Sequence, residues 1–338
     1  IFSNIMPYIE DARQHEIVLK GVDLLVALLE GSRLTQVTLS LRDGYGIIAH
    51  LLRERPKERM TPELVYALDR LRRTAGAEHE SHSARVVVDL HLWSLANDET
   101  QDAHGSYLLD LATRHTAGLR THLTTCDVLD ALEYSPGTRG SRRRRVLLDV
   151  CYQLMLNASQ QVIEETCEAV VHLVEECSDE ELVGDILRWL VNCMQPNDRM
   201  YGQLFDVFTK LGGPLLVLAP LRRSAKRVRS FALLWLANLM PPLETESSSR
   251  DGLHLSAAFG AAAGALTATL GGKFTSTTSQ DFEVGFFTAV ASSLEQFPED
   301  VAESRSALFE LLLGGQALPA DKVAEKLRQD KKSSVRIV

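Results

Sequence analysis

The sequence lacks the short motifs that mark the common enzyme active sites. It contains no GxSxG nucleophile motif, no GxxxxGK phosphate-binding loop, no HExxH zinc motif and no strand-linked dinucleotide fingerprint. Its acidic runs, such as Glu175, Glu176 and residues 179–181, have no nucleophile beside them in the sequence and are typical of a solvated helix face. We therefore predict no catalytic residue, no cofactor and no small-molecule substrate.

Cysteine and positive charge are also scarce. The five cysteines are odd in number and form no CxxC pair, which argues against a structural zinc site and indicates reduced cysteines in a cytoplasmic protein. The chain has 36 lysines and arginines against 45 acids, a formal net charge of −9. Nucleic-acid-binding domains are usually basic, so we predict no nucleic-acid partner.

No hydrophobic run is strong enough to indicate a membrane span. Residues 255–272 come nearest in length, but alanine, glycine and threonine make the segment only weakly hydrophobic, and we interpret it as a close-packed inner helix. The sequence begins at Ile1 without a methionine, signal peptide or transit peptide. We expect it to be part of a longer protein.

One stretch, from Leu211 to Leu239, contains a complete unit of two helices and a corner. Gly212 and Gly213 allow the left-handed backbone that ends a helix, and Pro214 suits the first position of the next one. A short apolar helix to about Leu221 is predicted to follow this corner.

The second half of that unit is a basic turn, residues 222–227, and a longer helix. The longer helix has apolar residues spaced by three and four on one face: Val228, Phe231, Trp235 and Leu239. Such a unit cannot bury its own apolar face and must stack on similar units. The predicted fold is therefore all-α, an α-solenoid of armadillo/HEAT-like helical repeats.

The glycine-led short helix recurs elsewhere in the chain. Residues 21–29 (GVDLLVALL) and 44–52 (GYGIIAHLL) share a pattern of glycine, two aliphatics and two leucines, and residues 212–221 are a looser copy. Their uneven spacing indicates degenerate repeats without a fixed period.

Helix starts are marked by capping residues at two places. Thr61, Pro62 and Glu63 together predict one helix start. Ser178 and Glu181 have the spacing of a capping box and predict a second.

Two neighbouring segments are less regular. Residues 74–85 are small and polar and predict a loop. Residues 86–96 alternate like a strand at first, but their length and surroundings favour a buried helix.

We divide the chain by composition into four parts. Residues 1–240 are predicted to form armadillo-like helical repeats, and residues 241–254 a polar linker loop. Residues 255–320 are predicted to add further packed helices to the same solenoid, and residues 321–338 to form a charged C-terminal segment.

Two basic clusters are candidates for an interaction patch on this acidic chain. The first contains Arg139, Arg142, Arg143, Arg144 and Arg145, and the second contains Arg222, Arg223, Lys226, Arg227 and Arg229. Clustered positive charge attracts acidic protein segments or an anionic membrane surface. The alternative for each cluster is an ordinary solvated turn between helices.

Other conspicuous residues have simpler explanations. His79 and His82 have the spacing of some metal pairs, but no third ligand is near in the sequence, and we expect a polar turn and no metal. Trp93, Trp189 and Trp235 fall on predicted inner faces, where core packing is expected.

The order of these segments resembles the armadillo-like helical region of BEACH-domain proteins of the neurobeachin and lipopolysaccharide-responsive beige-like anchor type. The segments that carry the resemblance are GYGIIAHLL (44–52), MTPELVYALDRL (60–71), TTCDVLDALEYS (124–135), RRRVLLDVCYQLML (143–156), ILRWLVNCM (186–194) and KLGGPLLVLAPLRRSAKRVRSFALLWLANLM (210–240). The resemblance implies a cytoplasmic scaffold in membrane trafficking, peripheral to endomembranes, and no catalytic residue.

We therefore expect a non-enzymatic scaffold that binds other proteins, from a large BEACH-type protein. Two alternatives stay open at this point. The chain could be another armadillo or HEAT adaptor that binds peptides or cytoskeletal partners, or a regulatory region of an enzyme whose catalytic domain lies elsewhere.

Overall fold

The computed structural model describes most of the first 239 residues and one residue beyond them. The described residues are 2–10, 14–54, 60–74, 80–94, 96–134, 140–195, 197–239 and 290. Within these ranges every regular element is a helix, as predicted. The predicted linker (241–254), the helices of 255–320 and the charged segment 321–338 lie outside the described residues, apart from Val290, which is helical and buried.

The helices are numbered in chain order. They are α1 (Phe2–Glu10), α2 (His15–Glu30), α3 (Arg33–Leu41), α4 (Gly44–Arg53), α5 (Pro62–Thr74), α6 (Glu80–Val88), α7 (Leu90–Ser94), α8 (Asp98–Arg114), α9 (Thr116–Leu119), α10 (Thr125–Leu132), α11 (Ser141–Met155), α12 (Gln160–Glu176), α13 (Glu180–Cys193), α14 (Tyr201–Leu211), α15 (Leu218–Leu221) and α16 (Lys226–Leu239). A 3-10 helix, Gly213–Val217, precedes α15.

The chain divides into two compact units, Ile1–Trp189 and Leu190–Val338, and the boundary falls within α13. In the first unit α2 packs on α1 and α5, while α8 packs on α11. The core of its first half is built from aliphatic residues of α2, α4 and α5 together with the fully buried ring of Trp93.

Side-chain caps fix several helix starts. Asn97 Oδ1 accepts from Thr100 N at 2.9 Å, and Thr124 with Asp127 forms a complete capping box at the start of α10. The predicted capping box at Ser178 is displaced by one residue. Asp179 Oδ1 accepts from the backbone N–H groups of Glu181 and Leu182, at 3.0 and 3.3 Å, so a carboxylate caps α13.

The segment between α5 and α8 is more helical than predicted. The loop prediction for residues 74–85 is wrong from Glu80 onward, where α6 begins, while the helix prediction for residues 86–96 is confirmed by α6 and α7. Val86, Val87 and Val88 are all buried, whereas a half-buried strand would bury only alternate residues. These β-branched residues therefore reflect burial on several sides of a helix and do not indicate a strand.

The three glycine-led segments do not share one role. Gly44 begins α4 as predicted, but Gly21 lies inside α2, so the prediction of a glycine-led helix there is wrong. A Cβ at Gly21 would lie 3.4 Å from Ile9 Cγ1, an ordinary van der Waals contact, so Gly21 lies where α2 packs on α1.

The corner predicted at Gly212 is confirmed in the second unit. Gly212 and Gly213 have φ angles of 141° and 54°, and the axes before and after them differ by 83°. Helix α14 therefore ends at Leu211, and the short 3-10 and α15 segment runs to Leu221 as expected.

All three tryptophans are buried, as predicted, and Trp235, which lies in the second unit, has no exposed surface. Its indole N–H points to Met194 Sδ at 3.1 Å, and its ring meets Phe208 edge to face at a centroid distance of 5.5 Å. The ring therefore joins α16 to α14 and to the turn after α13.

None of the described helices is by itself long and apolar enough to cross a membrane. Among them, only the bent pair Tyr201–Leu211 and Gly213–Leu221 has the necessary length and composition when its two segments are taken together.

Trp235→Ala should destabilise the protein by about 3–5 kcal/mol, because it leaves a large cavity among packed side chains. Leu234→Ala on the same helix is the matched control, since Leu234 is 50 % exposed. Urea denaturation of both variants measures the difference. Equal, small losses for the two variants would contradict the central packing role of Trp235.

His104 provides a second test, based on pH. Its Nε2–H donates to Val87 O at 2.6 Å, and its ring stacks on Trp93 at 4.8 Å. Burial of the ring, together with the positive charge of Arg143, lowers the pKa of His104 from 6.5 to about 3.

Below pH 6.5 the unfolded chain therefore binds a proton at His104 that the folded chain excludes, so stability decreases as the pH falls from 6.5 toward 3. This one group should remove about 2 kcal/mol between about pH 7.5 and about pH 5. His104→Gln should reduce the pH dependence of the free energy of unfolding in this window, whereas His50→Gln, at an exposed position, should leave it unchanged. An unaltered pH dependence in His104→Gln would refute the assignment.

Candidate interaction surface

The described part of the first basic cluster, Arg142 to Arg145, lies in the opening turns of α11, and the structure divides its four arginines. Arg142 is 77 % exposed and pairs with Asp102 at 2.9 Å, and Arg145 is half exposed. Arg143 and Arg144 are buried, so neither can belong to an exposed patch. Arg139 lies outside the described residues.

Arg144 forms a fully buried ion pair with Asp185 of α13, in which both side chains have no exposed surface. Its Nε and Nη2 donate to Asp185 Oδ2 at 3.0 and 2.8 Å. Ser141 Oγ donates to the other carboxylate oxygen at 3.1 Å, and Arg145 Nε lies 3.9 Å from it. Asp185 is thus fully hydrogen-bonded, which offsets the cost of burying its charge.

Arg143 is buried without comparable compensation. Its Nη1 and Nη2 atoms are enclosed and have no hydrogen-bond partner among the described residues, and burial lowers the pKa of its guanidinium to about 10. Because a helical side chain at this position faces α8, Arg143 lies close enough to His104 to affect its pKa. The residue is part of the helix packing and has no surface for a partner.

The second basic cluster surrounds the turn between α15 and α16. Arg222 and Lys226 are exposed, and Arg223 and Arg227 are half-buried. The guanidinium of Arg227 lies over the ring of Phe231, 5.8 Å from its centroid. These four cations lie within six consecutive residues and can act on one partner.

Arg229, the fifth member of this cluster, is buried and points into the turn. Its Nη1 donates to the carbonyl oxygens of Ser224 and, at 2.8 Å, Arg223. The prediction that Arg229 belongs to an exposed patch is therefore wrong. Because Arg229 binds backbone carbonyls left over at the end of α15, it fixes the conformation of the turn that presents the other four cations.

The exposed members of the two clusters belong to different units. Arg142 and Arg145 lie in the first, while the turn from Arg222 to Arg227 lies in the second. The second is the better candidate, because four of its cations are exposed or half-buried, against two in the described part of the first, and because the turn is held by Arg229. Binding by either cluster stays a prediction.

The acidic partner of Arg144 was not predicted from the sequence. Asp185 lies between Leu182 and Ile186 on the inward side of α13, and a single carboxylate on an apolar face was the available signal for a buried pair. A second buried network was also missed. Asp69 Oδ1 accepts from Tyr107 OH at 2.6 Å and from Arg72 Nε at 3.2 Å, and joins α5 to α8.

Arg120 is another arginine with a structural role that was not predicted from the sequence. Its guanidinium donates to the carbonyls of Leu154, Leu156 and Asn157, with distances of 2.9 Å to Leu154 and 3.0 Å to Asn157. It therefore caps the carboxyl end of α11 from another element.

Metal and thiol chemistry find little support in this part of the chain. The described residues contain no group of three or more histidine, cysteine or acidic side chains that could hold a metal ion. His79 and the side chain of His82 lie outside the described residues. Cys151 is fully buried, and burial raises the pKa of its thiol, which makes it a packing residue.

Breaking the Arg144–Asp185 pair should be costly. Arg144→Leu or Asp185→Leu alone should destabilise the protein by about 3–5 kcal/mol, because each leaves a buried charge without its partner. The double leucine variant should be more stable than either single variant. Arg142→Leu is the control, since its exposed pair with Asp102 should contribute less than about 1 kcal/mol. Strictly additive losses in a double-mutant cycle measured by urea denaturation would refute the coupling.

Comparison with known proteins gives one informative match. The family model described as the Neurobeachin/BDCP, DUF4704 alpha solenoid region matches residues 142–337. No curated protein matches the chain. One solved structure, described as the crystal structure of an engineered protein, covers 93 % of this chain and 87 % of its own at 12 % identity, and its TM-score of 0.27 carries no argument.

The family match agrees with both the solenoid fold and the resemblance found in the sequence. It includes α11 to α16 and therefore both described basic surfaces. Because it spans more than half of the chain, this chain belongs to the Neurobeachin/BDCP, DUF4704 alpha solenoid region family.

Proposed function

We propose that this chain is a non-enzymatic interaction scaffold of a large BEACH-type protein that acts in vesicle and membrane trafficking in the cytoplasm. Family membership supports the BEACH-type assignment over the alternatives of another armadillo adaptor or of a regulatory region attached to an enzyme. The buried polar groups described above have structural roles, which supports the proposal of a scaffold. Asp185, Arg144, Asp69 and Arg229 tie helices or turns together.

The observation that carries the proposal is the basic turn formed by Arg222, Arg223, Lys226 and Arg227. Arg229 binds two carbonyls of this turn from inside, so its shape is set before a partner arrives. A preorganised surface loses less conformational entropy on binding than a flexible one. The turn is therefore suited to recognition of a specific negatively charged partner.

An acidic segment of a partner protein is the partner that best fits this surface. Four cations form a small patch, and the chain as a whole carries a net charge of −9, which opposes adsorption to an anionic bilayer. A short acidic segment can contact the turn and avoid the rest of the acidic surface. An anionic membrane is the competing partner, to which each cation would contribute about 1 kcal/mol within a Debye length of about 8 Å.

Reversing Arg222, Arg223 and Arg227 to glutamate should weaken binding of an acidic peptide about tenfold or more at low salt, with the melting temperature little changed. Fluorescence anisotropy with a labelled glutamate-rich peptide, across a series of salt concentrations, measures this. The matched control reverses Arg70, Arg114 and Arg199, which carry the same charge on exposed surface elsewhere.

The unmutated chain is also tested by co-sedimentation with phosphatidylserine vesicles. Binding to vesicles but not to the peptide would replace the protein partner by a membrane. Failure to bind either probe at low salt, or equal weakening by the control variant, would refute the proposed role of the turn.

A further inference from the structure

The exposed apolar residues of the described chain are concentrated near its start. Nine large hydrophobic side chains are exposed, and six of them lie on α1 to α4: Tyr8, Ile17, Leu24, Leu34, Leu41 and Ile47. The two most exposed are Leu34 and Leu41, at 77 and 81 %, and both belong to α3. This helix therefore presents apolar side chains to solvent on the side where a surface helix is normally polar.

Helix α3 is held in this orientation by a polar side chain on its inner side. Gln36 Nε2 donates to Leu29 O, near the end of α2, and to Thr74 O, the last residue of α5, both at 2.9 Å. Leu39 and Ser40 are buried beside it, and Ser32 caps the helix. The bond to Thr74 O satisfies a carbonyl at the end of α5, and rotation of α3 to bury its leucines would break both bonds of Gln36.

The geometry of an α-helix then places the leucines outside. With about 100° per residue, Leu34 and Leu41 lie roughly 20° apart and about 140–160° from Gln36. They are separated by about 10 Å along the axis, and the half-buried Val37 lies between them. The result is an aliphatic stripe of two turns, with the i, i+3, i+7 spacing that helix-binding surfaces use.

The ends of the stripe carry positive charge. Arg33 and Arg42 are both exposed and directly flank Leu34 and Leu41, and residues 31–42 contain no carboxylate. The nearest acid after the stripe, Asp43, is turned away from it. A Cβ at Gly46 would lie 2.4 Å from Asp43 Oδ2, which shows that this carboxylate covers the first turn of α4.

We propose that α3 is a docking site for an amphipathic helix of a partner protein, whose aliphatic stripe is bordered by carboxylates. Leu34, Val37 and Leu41 would pack against the stripe, and Arg33 and Arg42 would select the acidic border. An anionic membrane is a poorer match, because the net charge of −9 opposes adsorption of the whole chain to an extended anionic surface, whereas a single helix can contact the stripe alone. This site is separate from the basic turn, which belongs to the second unit.

The test is selection from a phage-displayed library of helical peptides, with the full chain as bait. The library varies the residues of one apolar stripe and its two borders. The expected result is enrichment of peptides with aliphatic residues at i, i+3 and i+7 and with aspartate or glutamate at the borders. The best peptide, synthesised with a fluorescent label, should bind about tenfold or more weakly to Leu34→Ser/Leu41→Ser.

Three variants complete the experiment. Arg33→Glu/Arg42→Glu should shift the selection toward lysine and arginine at the borders. Tyr66→Ser/Tyr134→Ser removes two exposed rings elsewhere, and reversal of Arg222, Arg223 and Arg227 alters the basic turn; both should leave peptide binding unchanged. Arg33, Leu34, Leu41 and Arg42 are all exposed, so circular dichroism should show intact helices in the two α3 variants.

Several results would overturn the proposal. These are no enrichment, enrichment without acidic borders, peptide binding that survives Leu34→Ser/Leu41→Ser, or peptide binding lost with the basic-turn variant. Sedimentation with phosphatidylserine vesicles that depends on Leu34 and Leu41 would assign the stripe to a membrane and would equally refute a protein helix as the occupant.

Discussion

The described helices depend on one constraint, which is that none can bury its own apolar face. The longest have 17 residues, and most would be marginal alone in water, so their stability comes from packing against neighbours. Trp93 and Trp235 show this most clearly, since each is fully buried by residues from other elements of its own unit. Such helices are typical of alpha solenoid regions, in which each helix covers the apolar face of its neighbour.

Arginine has two distinct uses in this chain. Arg72, Arg120, Arg144 and Arg229 bind carboxylates or backbone carbonyls at places where helices end or meet. The guanidinium group suits this role, because its fixed fork of donors can satisfy several acceptors and stays charged when buried. Other arginines, such as Arg42 and Arg222, lie at the surface, where their charge can attract an acidic partner.

Each of the two proposed surfaces is held by a polar side chain that faces inward, but the exposed residues of the two surfaces differ. In the turn between α15 and α16, a buried arginine fixes the backbone and exposed cations surround it. In α3, a half-buried glutamine fixes the helix, and the exposed side is aliphatic with cations at its ends. In both places a polar group that faces inward determines what faces outward, which is a reasonable basis for a scaffold whose surfaces must be preorganised.

The sequence by itself determined the helical class, the family resemblance, the corner at Gly212 and the burial of the tryptophans, because periodicity, turn residues and side-chain size act locally. It could not separate exposed from buried arginines, and it placed Arg143, Arg144 and Arg229 in a patch although their environments are internal. It also did not mark α3, whose orientation depends on carbonyls of Leu29 and Thr74 in other helices. Only tertiary structure decides such cases, since a charge or a leucine takes its role from the groups that packing brings next to it.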